Sequence, residues 1–247
     1  EMVMGQERII HAALLGAGTV GSGVYKLVKD LEEEIISKTG ARLVVDKILV
    51  RDTTKAREGI PSELLIDRWD EILNDPQIEI VIEVMGGIRP ALTWLEEALR
   101  AGKQVVTANK DLLAEYGEQL FDAAEAGKCD LHFEAAVAGA IPIIRPLRQS
   151  LVASELTEVM GIVNGTTNYI LTRMTEDGMG YEEALALATK LGYAESDPTA
   201  DVEGYDAGRK VAIMASIAFN SNVTFCIPKG LHTSRRRISA MRRNLAM

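Results

Sequence analysis

The stretch LGYAESDPTADVEGYDAGRK, residues 191–210, sets Glu195, Asp197, Asp201, Glu203 and Asp206 within twelve residues and follows them with Arg209 and Lys210. A solvated acidic loop could have this composition. The spacing argues for more. Pro198 discourages continuation of the preceding helix, and Val202, Tyr205, Val211, Ile213 and Met214 announce a new one. On that helix Asp206 and Lys210 stand at i and i+4 and share a face. The pair is either a surface ion pair worth roughly 0.2–0.5 kcal/mol, or a lysine general acid flanked by carboxylates that bind a substrate. A lysine suits the second task when desolvation or a neighbouring cation lowers its pKa.

A second constellation lies near the N-terminus. Gly16-x-Gly18-x-x-Gly21 follows the apolar run IIHAALLG (residues 9–16) and opens a segment, VYKLVKDLEEEII, with apolar residues at helical spacing. Strand, glycine loop and helix in that order form a dinucleotide fingerprint, in which the glycines let the backbone approach a pyrophosphate lying on the helix N-terminus. The end of the second strand, RLVVDKILV, selects the nucleotide. Arg51 is the first residue past Val50, with Asp52, Lys55 and Arg57 behind it. A guanidinium suits a 2′-phosphate through bidentate, charge-assisted bonds, so NADP is favoured, while Asp52 leaves NAD use open.

The elements that position these groups alternate. Strand IEIVIEVM (78–85) stops at Gly86-Gly87, and helix PALTWLEEALRAG follows with Pro90 in its first turn and Gly102 at its C-terminus. Strand KQVVTA, helix LLAEYGEQLFDAAEAG and strand DLHFEA continue the pattern. Alternation of this kind predicts a parallel sheet covered on both faces. After about residue 136, AGAIPIIRPL is a Gly/Pro-rich hinge into a helix. ELTEVMGIV (155–163) reads as a strand, and NGTTNYIL caps a helix with Thr166 or Thr167. The predicted fold is α/β, a Rossmann-type nucleotide-binding domain over residues 1–136, followed by a smaller α+β substrate domain over 137–224.

Composition limits the alternatives. The 247 residues are 47% hydrophobic and 26% charged, as expected for globular material. Cys129 and Cys226 form no C-x-x-C pattern, and His11, His132 and His232 have no metal-ligand spacing. No apolar stretch is long enough to span a bilayer and the N-terminus lacks a signal-peptide pattern, so a cytoplasmic location without membrane partners is expected. The net charge is −9, yet no acid follows Asp206, and residues 229–247 hold six of the 27 Lys and Arg. Such a tail could bind nucleic acid; a shifted reading frame accounts for it better.

The chain resembles homoserine dehydrogenases. The resemblance rests on A-x-x-x-G-Y-x-E-x-D-P-x-x-D-V-x-G-x-D-x-x-x-K, present as Ala188, Gly192, Tyr193, Glu195, Asp197, Pro198, Asp201, Val202, Gly204, Asp206 and Lys210. VTANKDLLAEYG and NGTTNYIL are further family-like blocks, in the family's order. The resemblance implies reversible hydride transfer between NAD(P)H and L-aspartate 4-semialdehyde, giving L-homoserine, on the route to threonine and methionine. It assigns substrate binding to Glu195, Asp201, Asp206 and Thr166, and the general acid to Lys210. Lys110 is placed at the nicotinamide and the reacting oxygen. Gly16, Gly18, Thr19, Val20, Gly21, Arg51 and Gly192 belong to the cofactor site. Glu134, Val137, Gly139 and Ile141 match positions that hold a monovalent cation such as sodium, mainly through carbonyls. A homodimer is expected if the substrate domain is complete enough. Cys129 lacks the glycine-rich setting and histidine partner of a thiohemiacetal nucleophile, which counts against aspartate-semialdehyde dehydrogenase.

From about Phe225 the family pattern ends, and residues 225–247 form an aberrant basic tail. A shifted reading frame would explain the missing acids and the arginine excess together. The alternative function is therefore a catalytically inactive NADP-binding fragment of the same family.

Overall fold

The computed structural model describes residues 8–195 and 197–223. The tail and its proposed frame shift lie outside the described residues. The chain divides into two compact units between Ala140 and Ile141.

The first unit is a six-stranded, all-parallel sheet. Its strands are β1 (Arg8–Leu15), β2 (Ala41–Leu49), β3 (Leu65–Ile66), β4 (Ile78–Glu83), β5 (Gln104–Thr107) and β6 (Leu131–His132), in spatial order β3-β2-β1-β4-β5-β6. The strands read as apolar runs because both faces are covered. Leu14, Leu15, Ile48, Val81 and Val105 are buried in the sheet. The helices are α1 (Thr19–Asp30), α2 (Glu32–Thr39), α3 (Asp70–Leu73), α4 (Ala91–Arg100) and α5 (Lys110–Gly127). Leu92, Leu95 and Leu99 of α4 and Leu112 and Leu120 of α5 are fully buried. The strand order reverses between β1 and β4, and in open α/β sheets ligands bind outside the carboxyl ends of the strands at that point.

Three sequence expectations change here. The long segment after the fingerprint is two helices, divided at Leu31, whose φ of −108° and ψ of 25° leave the helical region. The two-residue β3 was not foreseen, since so short a pairing leaves no periodic signal. The strand expected within 78–85 ends at Glu83, where the carboxylate turns back onto the following backbone.

The second unit contains α6 (Gly165–Glu176), α7 (Tyr181–Lys190), α8 (Thr199–Val202) and α9 (Tyr205–Ala218). Ile170, Tyr181, Ala184, Ala188, Ala194 and Val202 form its core. Residues 155–163, expected as a strand, form none, and Met160 and Ile162 are 83% and 76% exposed. A strand is completed by a hydrogen-bonded neighbour, and among the described residues nothing pairs with this segment. Gly204, at φ 83°, separates α8 from α9 and so divides the helix expected after Pro198. Val202, Ile213 and Met214 are buried as that apolar pattern requires, whereas Tyr205 and Val211 are exposed.

Candidate functional site

In the second unit the acids and the lysine converge on one asparagine. Asn164 is the N-cap of α6, and its Oδ1 accepts from the Thr167 N–H at 2.8 Å and from the Thr167 hydroxyl at 2.8 Å. The cap is therefore Asn164, not Thr166 or Thr167, because an Asn side chain reaches the third N–H of the first turn. The amide nitrogen spends both protons on acids: Nδ2 donates to Asp201 Oδ1 at 2.7 Å and to Asp206 Oδ2 at 2.9 Å. One side chain thus starts a helix and bridges two carboxylates about forty residues away.

Lys210 closes the cluster. Its Nζ lies 2.6 Å from Asp206 Oδ2, one turn along α9, and donates to the Val163 carbonyl at 2.7 Å. The side chains of Lys210 and Asp206 are only 17% and 8% exposed, so this is not the solvated surface pair that spacing alone allowed. Water is largely excluded, which strengthens the attraction and raises the cost of losing either partner.

The turn carrying Glu195 is fixed separately. Gly192 ends α7 at φ 80°, a conformation that glycine adopts without steric cost. The Tyr193 N–H donates to the Ala188 carbonyl at 2.9 Å, and the Thr166 hydroxyl donates to the Tyr193 carbonyl at 2.7 Å. The Tyr169 and Tyr193 rings, with centroids 4.8 Å apart, add a second tie between α6 and this turn. Thr166 is thus engaged in holding the turn, and Glu195 is exposed at its end. Among the described residues, the bonds through Asn164 and Lys210 that join Asp201 and Asp206 do not include Glu195.

In the first unit the glycine loop has the geometry of a nucleotide cradle. Gly16 has φ 101°, and a Cβ on Gly21 would lie 2.0 Å from the Gly16 carbonyl oxygen, so no larger residue fits without moving the backbone. Gly18 is the N-cap of α1 without a side-chain cap bond, and Thr19 and Val20 begin the helix exposed. The first N–H groups of a helix have no partners within it, and a phosphate meets both those donors and the helix dipole. Arg51, exposed, follows the end of β2. Asp52 turns onto its own loop: its Oδ1 accepts from the Thr54 hydroxyl at 2.6 Å and the Thr54 N–H at 2.9 Å. Those bonds, the hydroxyl first, hold its carboxyl below the ordinary aspartate pKa. Lys110 is the first residue of α5, directly after the cap Asn109.

The residues of the cation expectation begin at the end of the first unit. Glu134 opens a short 3-10 turn, and Ala138 and Ala140 flank Gly139 with φ of 51° and 66°. Non-glycine residues in this conformation persist where their surroundings hold them, as at ligand clamps, and a carbonyl-bound cation fits that chemistry. Among the described residues no cluster of His, Cys, Asp or Glu could hold a metal ion.

Asn164 and Glu83 are the residues that sequence reasoning missed. An Asn opening NGTTN signals a cap, but its second function depends on partners distant in sequence. Glu83 carried a partial signal: a carboxylate inside an apolar strand must find donors when buried, but Glu79 in the same strand stays partly exposed and sequence does not separate the two.

The homoserine dehydrogenase NAD binding domain model matches residues 16–134, and the homoserine dehydrogenase model matches 142–229, a few residues past the expected end of the pattern near Thr224. The chain is similar to a homoserine dehydrogenase of Bacillus subtilis, 48% identical over 217 residues, covering 87% of this chain and 50% of that protein. A crystal structure of a putative homoserine dehydrogenase from Archaeoglobus fulgidus is 32% identical, with a TM-score of 0.75, covering 90% of this chain and 72% of that one. The chain belongs to the homoserine dehydrogenase family. A hyperthermophilic archaeal homoserine dehydrogenase, solved in complex with NADPH, superposes with a TM-score of 0.75 at 26% identity over 86% of this chain and 70% of that one. The chain spans about half the length of the curated homoserine dehydrogenases it matches. Among the described residues no helix is long and apolar enough to cross a membrane.

Proposed function

We propose that this chain carries out the homoserine dehydrogenase reaction, the reversible reduction of L-aspartate 4-semialdehyde to L-homoserine. The observation that carries the proposal is the Asp206–Lys210 pair, withdrawn from water and tied through Asn164 to Asp201. When bound, NADPH supplies the hydride. The chain's own residues bind the amino acid and move the proton.

Lys210 as an ammonium has three N–H donors. Asp206 and the Val163 carbonyl take two, and the third can meet a substrate oxygen. As the aldehyde carbon gains hydride, its oxygen becomes an alkoxide and takes a proton from Nζ. In the oxidative direction the neutral amine accepts the hydroxyl proton. Asp201 and Asp206 offer the negative charge that the substrate's α-ammonium needs. Glu195, on the turn held by Thr166 and Tyr193, is the third substrate-binding acid.

The first unit supplies the nucleotide site through Gly16, Gly18, Thr19, Val20, Gly21 and Arg51. Arg51 favours NADP, and the engagement of Asp52 by Thr54 supports that preference. A cation at a helix N-terminus opposes the helix dipole by roughly 0.3–1 kcal/mol, so the place of Lys110 supports a role in binding or chemistry. A monovalent cation at Glu134, Val137, Gly139 and Ile141, a homodimer and a cytoplasmic location complete the proposal.

Product analysis tests it. The chain incubated with NADPH should convert aspartate semialdehyde to homoserine and leave succinate semialdehyde, which lacks the ammonium, largely unreduced. Equal reduction of both aldehydes would contradict the assigned role of the acids.

A further inference from the structure

Glu83 ends β4 with no exposed surface. A carboxylate there needs donors, and three meet it. The Met85 and Gly86 N–H groups reach Oε1 at 2.8 and 3.1 Å, and the Thr107 hydroxyl donates to Oε2 at 2.6 Å. Thr107 Oγ1 in turn accepts from the Asn109 N–H at 3.0 Å. The Asn109 side chain then acts in two directions. Its Oδ1 accepts from the Leu112 N–H at 3.2 Å, capping α5, while Nδ2 donates to the Gly87 carbonyl at 2.6 Å. The bonds form a closed circuit from the end of β4, across the end of β5, to the start of α5 and back to Gly86–Gly87. Both glycines have positive φ, 72° and 76°, so the circuit grips a turn that most residues resist.

The circuit lies between two parts of the nucleotide site. On one side Met85 packs on the fingerprint loop: a Cβ on Gly16 would lie 3.0 Å from Met85 Cγ and 3.2 Å from its Cα. On the other side Lys110 follows Asn109 as the first residue of α5.

We propose that Glu83, acting through Thr107 and Asn109, is a positioning residue for the nicotinamide nucleotide. It fixes the wall on which the fingerprint loop rests and the N-terminus of the helix that carries Lys110. The proposal rests on the nucleotide-binding reading of the first unit. Burial alone would be met by an apolar residue at 83, and capping alone by serine at 109. A buried charge linked to a cap that also holds Gly87 serves to lock turn and helix together.

Two variants test this without abolishing the fold's ordinary requirements. Asn109→Ser keeps a capping oxygen for Leu112 but is too short to reach Gly87. Glu83→Gln keeps volume and an acceptor for the two N–H groups while facing Thr107 with an NH₂ group. Amide hydrogen exchange at Met85 and Gly86 would be measured beside NADPH titration. Both variants should lose protection at these amides, with β1 unchanged, and weaken NADPH binding by roughly five- to tenfold, the scale of one lost hydrogen bond. A merely structural role would lower the unfolding midpoint and leave the NADPH Kd at the wild-type value, which overturns the proposal. If Glu83→Gln does not fold, Asn109→Ser decides alone, because it retains both the charge and the cap. A wild-type chain without affinity for NADPH would overturn the nucleotide reading as well; normal wild-type affinity with unaffected variants would overturn this inference only.

Discussion

Lys210 Nζ and Asp206 Oδ2 lie 2.6 Å apart on one face of α9, with both side chains largely out of water. A surface pair at this spacing would contribute little; this one has Asn164 on the same carboxylate oxygen and the Val163 carbonyl on the same ammonium. Lys210→Ala should lower turnover at least ~10²-fold, as expected on losing a positioned general acid, while NADPH still binds. Lys210→Arg keeps the charge but cannot release its proton near neutrality. Near-normal kcat in the arginine variant would remove Lys210 from the acid role and leave Lys110 as the better candidate.

Asn164 has two separable duties. Asn164→Ser retains an N-cap oxygen and should cost α6 little, whereas Asn164→Leu loses the cap and about 1 kcal/mol of stability. Both remove the amide between Asp201 and Asp206, so both should reduce kcat/KM by roughly tenfold or more, the effect of losing a hydrogen bond to a charged group. Thermal unfolding beside kinetics separates the two effects. A serine variant with wild-type kcat/KM would reduce Asn164 to a cap.

The glycine fingerprint, the alternating strands and the shared face of Asp206 and Lys210 were legible in the sequence because each depends on neighbours within a few residues. Asn164 was legible only as part of a helix start. Its acidic partners lie beyond two intervening helices, and no local pattern encodes that meeting. Glu83 shares its apolar strand with a second acid, Glu79, and no local pattern shows which of the two is buried. Residues 155–163 have strand composition, but a strand exists only with a neighbour, and periodicity cannot supply one.

Arg51→Asp should weaken NADPH binding far more than NADH binding, since it removes the cation facing the 2′-phosphate and adds a like charge. Titration of both nucleotides measures it. Equal losses would show that Arg51 is not the discriminator.

Lys103 offers a test of the sheet that positions the nucleotide site. It is buried and donates to the Asp75 and Ile78 carbonyls at 2.7 and 2.8 Å, and burial lowers its pKa from the ordinary lysine value. Between the lowered folded pKa and the unfolded value the unfolded chain binds more protons, so this lysine's contribution to stability rises with pH in that window. Lys103→Met should cost about 1–3 kcal/mol at neutral pH by leaving carbonyls unpaired. It should also remove that component of the alkaline slope. Parallel wild-type and variant slopes in chemical denaturation would contradict the assignment.

The most direct measurement is steady-state oxidation of NADPH by the chain with aspartate semialdehyde, run beside an NADPH binding titration on the same preparation. The account predicts saturable binding together with turnover that depends on the semialdehyde. Saturable binding with no turnover would contradict it, and would leave the second unit's acids and lysine as a structural cluster beside a working nucleotide domain.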